Sequence, residues 1–173
     1  SPASPVTTPD LPATMDHCPP RCLVSACLLG LCTRYDGQSK GSADCLRQLA
    51  PYYWSPVCPE QLGGLPTPRN PCRLVGGDGY GVLDGTAWVV DQDGIDHSAE
   101  FVRGADMVLT IARIQQVSCC LLKSGSPSCG LAPLTGVTAA LLLRHCCPAP
   151  ASRYSRHRRL SRPLPAPAAA AGG

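Results

Sequence analysis

The sequence predicts an α/β fold, with a mainly parallel sheet flanked by helices in one domain. Three observations predict it. Apolar runs of strand length recur at residues 21–26, 54–57 and 118–123, and stretches with helical spacing lie between and after them. That alternation is the pattern of parallel strands joined by helical crossovers. The length of 173 residues favours one domain large enough to bury a real core.

The elements follow in order. Residues 1–20 are rich in Pro, Ser, Thr and Ala and carry no periodicity, so they are expected to be a disordered leader. Arg21 to Ala26 reads as the first strand, ending at Cys27 and followed by Gly30. Ser42 is placed to cap a helix through about Leu49, which Pro51 stops. Trp54 to Val57 is a second strand, ending at Cys58.

Pro59 to Gly85 holds Gly63-Gly64, Pro66, Pro68, Pro71 and Gly76-Gly77, and is expected to be loop until a hairpin around Val82 to Val90. From Ser98, Phe101, Val102, Ala105, Val108, Leu109 and Ala112 recur at three- and four-residue spacings, predicting an amphipathic helix to about Gln116. Ser118 to Lys123 is a third strand, leading into the loop 124–130 with Cys129. Gly136 to Arg144 is helical by its Ala and Leu content. The domain is therefore expected at 21–146 with Rossmann-like layering, and 147–173 as a disordered, basic, Pro/Ala-rich tail.

Composition narrows the function. The net charge of +3 is gathered at the carboxyl end, where Arg153, Arg156, Arg158, Arg159 and Arg162 lie close together. Aromatic residues are few, 2 Trp, 5 Tyr and 1 Phe, which argues against a surface that stacks many bases. No apolar run approaches the ~20 residues that span a bilayer, and residues 1–20 lack a basic flank followed by an apolar segment. The chain is expected to be cytoplasmic, with no membrane partner.

Twelve cysteines are many for this length. In a reducing compartment they are not read as a disulfide framework, which leaves metal or cluster ligation for some and packing as small hydrophobes for most. Cys27, Cys58 and Cys129 each follow a strand. Parallel strands bring their carboxyl ends to one edge, where α/β folds bind ligands. Their separations of 31 and 71 residues are too long for a zinc knuckle or a ferredoxin run, so a site made from them is assembled by the fold. Three thiolates suit a metal centre with one open position, but spacing leaves chance placement open as well.

Glu60 follows Cys58 by two residues and Ser126 precedes Cys129 by three, so both are expected beside any such site. A carboxylate there can deprotonate water and a hydroxyl can orient substrate or relay a proton. A loop bond for Glu60 and a turn for Ser126 are the alternatives. Lys123, Arg34, Asp36 and Arg69 are explained equally by local ion pairs.

Six ordered motifs carry a resemblance: Ser25-Ala26-Cys27-Leu28-Leu29-Gly30, Arg34-Tyr35-Asp36-Gly37, Pro56-Val57-Cys58-Pro59-Glu60, Gly63-Gly64-Leu65-Pro66-Thr67-Pro68-Arg69, Ser126-Pro127-Ser128-Cys129-Gly130 and the run Gly136 to Leu142. Over about residues 21–145 the chain resembles the former domain-of-unknown-function 523 family, which includes the TudS-type thiouracil desulfurases. The resemblance implies a [4Fe-4S] cluster on Cys27, Cys58 and Cys129 with one iron left free. It implies an enzyme that removes sulfur from a small thiolated nucleobase such as 2-thiouracil, giving uracil and sulfide without net redox change. Glu60 and Ser126 are the expected catalytic residues. Two alternatives accompany it: a tRNA 2-thiouridine desulfurase that holds phosphates with the arginine-rich tail, and a non-catalytic metal-binding module. The chain departs from the family in a short loop, Leu131 to Thr135, and in showing no final strand after the last helix.

Overall fold

The computed structural model describes residues 19–145 and the backbone of residues 157–161. The expected leader, most of the tail, Cys18, Cys146 and Cys147, and the side chains of the basic cluster lie outside the described residues.

Strand β1 (Arg21–Ser25) is the centre of the sheet, with parallel β2 (Tyr53–Val57) on one side and parallel β5 (Cys119–Lys123) on the other. A strand covered on both faces must be apolar on both, and Cys22, Leu23, Val24 and Ser25 are all buried. The side chains alternate between two cores. Leu23, Cys120 and Leu122 face α4 (Ser98–Ile114) and α5 (Val137–His145), while Cys22, Val24, Cys119 and Leu121 pack with Leu28 and with Cys45 and Leu49 of α1 (Ala43–Leu49). The α/β class and its layering are thus as the sequence predicts, and Cys22, Cys119 and Cys120 are packed thiols.

Helix α1 begins as expected, with Ser42 Oγ accepting from the Cys45 amide at 3.2 Å. Helix α4 buries Phe101, Ala105, Val108, Leu109 and Ala112 along one face and ends at Ile114. The glycine- and proline-rich stretch is less irregular than its composition suggests. It contains α2 (Pro59–Leu62), β3 (Cys72–Val75) and α3 (Gly79–Asp84), followed by β4 (Trp88–Asp91). The expected hairpin at 82–90 is corrected: β4 pairs antiparallel with β3, and α3 lies between them.

Some glycines are required for close packing as well as for turning. A methyl group on Gly79 would run into the Gly136 backbone, and one on Gly104 of α4 would strike the Pro59 carbonyl of α2. Composition alone hides such contacts, because a glycine that permits two backbones to touch looks like a helix breaker.

A second correction concerns the carboxyl end. The backbone of β6 (His157–Ser161) pairs antiparallel with β5 across its whole length, so the sheet order is β2-β1-β5-β6. An edge strand stands within the segment expected to be tail. Its Pro- and Ala-rich flanks conceal it from periodicity.

Candidate active site

The chain leaves β1 toward β2 on one side and reaches β5 on the other, so β1 marks the point where strand order reverses. A crevice opens at such a point, beyond the carboxyl ends of the strands. The three cysteines arrive there by different local devices. Cys27 sits in a single 3-10 turn, Ala26–Leu29, closed by Gly30 at a φ of 90°, a left-handed conformation that favours glycine. Cys58 occupies the junction between β2 and α2, where Pro59 starts the helix, and its thiol faces the Thr33 carbonyl at 3.7 Å. Cys129 lies in the loop after β5, held by amides of α5: Val137 N donates to Pro127 O and Thr138 N to Ser128 O, each at 2.9 Å. Gly136 is needed here because any side chain would meet the Ser128 backbone.

Cys27, Cys58, Cys129, Glu60 and Ser126 all border one cavity of about 200 Å³. Every site residue expected from the sequence is therefore brought together. Thr33, Tyr35, Arg69, Cys72 and Lys123 border it too.

Burial controls the thiols. Desolvation pushes the fully buried Cys129 up to about 12, against hydrogen bonds with Ser25 and Ser128. Burial also raises Cys27, opposed by the positive charge of Lys123. Both thiols are neutral at physiological pH in the protein by itself. A bound cation would take the place of those protons, which couples loading of the site to proton release.

Glu60 is clamped from both sides. Its Oε2 accepts from Arg69 Nε at 2.6 Å, and its Oε1 accepts from Ser128 Oγ at 3.0 Å. Arg69 is anchored in turn, donating to the Thr33 and Pro66 carbonyls and to Thr67 Oγ1. The ion pair is almost wholly covered, with 6% of the arginine side chain and 13% of the glutamate side chain exposed, so water screens it little.

Ser126 borders the cavity as its spacing suggests, and its hydroxyl is engaged in the turn. Its Oγ accepts the amides of Ser128 and Cys129, both at 3.2 Å, and so forms the turn that presents Cys129. The hydroxyl that touches Glu60 belongs to Ser128, whose Oγ is also 3.8 Å from Cys129 Sγ. Ser128 has one proton, and the nearer, charged carboxylate is the stronger acceptor. The Ser126 hydroxyl, 3.0 Å from Ser128 Oγ, then donates to Ser128, giving a directed chain from Ser126 through Ser128 to Glu60.

Sequence reasoning missed Ser128 and Ser25. Ser25 Oγ accepts the Lys123 amide at 2.9 Å and bonds Cys129, tying the ends of β1 and β5 together. The available signal was position: both adjoin motif cysteines or strand ends, but a serine in a turn carries no mark of which way its hydroxyl faces.

A family model for 2-thiouracil desulfurase matches residues 22–152. The chain belongs to the 2-thiouracil desulfurase family. Among curated proteins, the family relative YbbK of Bacillus subtilis, described as uncharacterized, is 39% identical over 133 aligned positions, covering 69% of this chain and 87% of that protein. Among solved structures, the chain is similar to a [4Fe-4S]-dependent thiouracil desulfidase, TudS, with 41% identity and a TM-score of 0.60, covering 73% of this chain and 86% of that one. Membership in the desulfurase family agrees with the sheet, the site edge and the three cysteines that line one cavity.

Proposed function

We propose that this protein is an iron-sulfur-dependent desulfurase that converts a thiolated pyrimidine such as 2-thiouracil and water into the oxygen-containing base and hydrogen sulfide. The observation that carries it is the meeting of Cys27, Cys58 and Cys129, from three distant parts of the chain, on one cavity beside Glu60. No electron is gained or lost: a carbon–sulfur double bond is replaced by a carbon–oxygen one, and both protons of water leave with sulfur.

The donor set fits a [4Fe-4S] cluster, for which cysteine thiolates are the usual ligands. The thiols share the cavity without converging on a point. Among the described residues, no three Cys, His, Asp or Glu side chains are gathered for a single metal ion. Cys27, Cys58 and Cys129 would hold the cluster. When bound, it supplies a soft Lewis-acidic iron suited to sulfur.

Glu60 receives a proton from the attacking water, because its carboxylate borders the cavity and is fixed by Arg69 and Ser128. Ser128 orients that carboxylate by donating to Oε1, with Ser126 donating to Ser128 in turn, and the proton that Glu60 takes from water passes to the departing sulfur. Lys123 sets positive charge near Cys27.

Anaerobic reconstitution followed by a 2-thiouracil assay tests the proposal. Uracil and sulfide are expected in equal amounts from the wild type, with loss of both iron retention and activity in Cys27→Ala, Cys58→Ala and Cys129→Ala. A fully loaded protein that yields neither product would overturn it.

A further inference from the structure

Thr33, Arg34 and Tyr35 line the cavity, in a segment running to Gln38 that is braced by its own side chains. Arg34 donates to both oxygens of Asp36, at 3.1 and 2.8 Å, and Asp36 Oδ1 also accepts the Gln38 amide. The turn closes through Gly37 N to Arg34 O. From outside it is pinned by Arg69, whose amide donates to Tyr35 O at 2.7 Å and whose guanidinium holds Thr33 O. This bracing presents Tyr35, among the described residues the single aromatic one bordering the cavity. The Arg34 guanidinium lies over its ring at 5.5 Å from the centroid, and 40% of the residue remains exposed.

In a chain with only eight aromatic residues, one that lines the cavity on a braced segment and keeps much of its surface exposed can be covered by a planar partner. Resting on the desulfurase reading, we infer that Tyr35 is the platform on which the planar ring of the substrate stacks. It selects cyclic, conjugated thiocarbonyls over open-chain ones. Stacking has no preference among base edges, so Tyr35 sets the class of substrate while polar groups of the wall set its orientation.

The test compares 2-thiouracil with thiourea, which has the same thiocarbonyl but no ring, on the anaerobically reconstituted full chain. Binding by calorimetry, KM, kcat and iron content are measured for the wild type, Tyr35→Phe, Tyr35→Leu and Tyr35→Ala. The leucine and alanine variants should bind 2-thiouracil about 5- to 150-fold more weakly, with KM raised and kcat nearly unchanged. The phenylalanine variant should match the wild type, and thiourea binding should be the same in all four. Unchanged 2-thiouracil binding in the leucine and alanine variants overturns the inference. So does an equal loss for thiourea, or a phenylalanine variant as weak as alanine. A loaded wild type that neither binds nor converts 2-thiouracil removes the desulfurase reading and this inference with it. An active wild type whose alanine variant binds equally well removes the inference alone.

Discussion

Glu60 and the two serines divide labour in a way that single substitutions can separate. Glu60→Gln keeps one acceptor, for Arg69 or for Ser128, replaces the other oxygen by an amide donor, and removes the base. It should lower kcat about 100- to 10,000-fold with iron content and KM preserved, measured by steady-state assay of the loaded enzyme. Ser128→Ala strips Glu60 Oε1 of its donor and should lower kcat, with a loss of about 1–3 kcal/mol of stability. Ser126→Ala leaves the amides of Ser128 and Cys129 without their acceptor, and should cost about 1–3 kcal/mol in denaturant unfolding of the unloaded protein. If Ser126→Ala slows turnover without loss of stability, the order of the hydroxyl chain is reversed.

At the scale of elements, the long helix, the three parallel strands and the cap at Ser42 were legible because each rests on local chemistry: periodicity, apolar runs and a hydroxyl before a helix. The cysteines were legible as a site because parallel strands deliver their ends to one edge. What stayed hidden depends on contact between distant backbones. Gly63 and Gly104 look like breaks in periodic segments, but they let α2 and α4 touch. Gly104→Ala should therefore destabilise the protein by about 1–3 kcal/mol despite alanine's better helix propensity. The same substitution should lower kcat, since α2 carries Glu60 and adjoins Cys58. A rise in melting temperature would show that the two helices have slack between them.

For the whole molecule, acid stability is set away from the cavity's thiols. Asp91, buried at the end of β4, accepts from His97 and Asn70 and from the Asp93 and Ile95 amides. Its bond to His97, followed by those other donors, outweighs desolvation and lowers it from the ordinary 3.8 to about 2. A lowered carboxyl contributes stability above its unfolded value, and that contribution is lost as pH falls through the folded one. Wild-type stability should therefore fall between about pH 4 and pH 2, and Asp91→Asn should flatten that limb of the profile in urea titrations. The sheet supplies a second test. A chain ending at His145 lacks β6 and leaves β5 as an open edge, so it should melt several degrees lower, roughly the effect of 1 kcal/mol, and associate more readily.

Arg69 reaches Glu60 with its side chain, Thr33 with the same guanidinium and Tyr35 with its backbone amide. One arginine thus splices the proton-handling wall to the wall that would cradle the guest. Displacing either should tug on its counterpart, making the penalties of paired changes at positions 35 and 60 depart from simple addition. The pocket would then answer to injury as one stiff frame, whichever corner is struck.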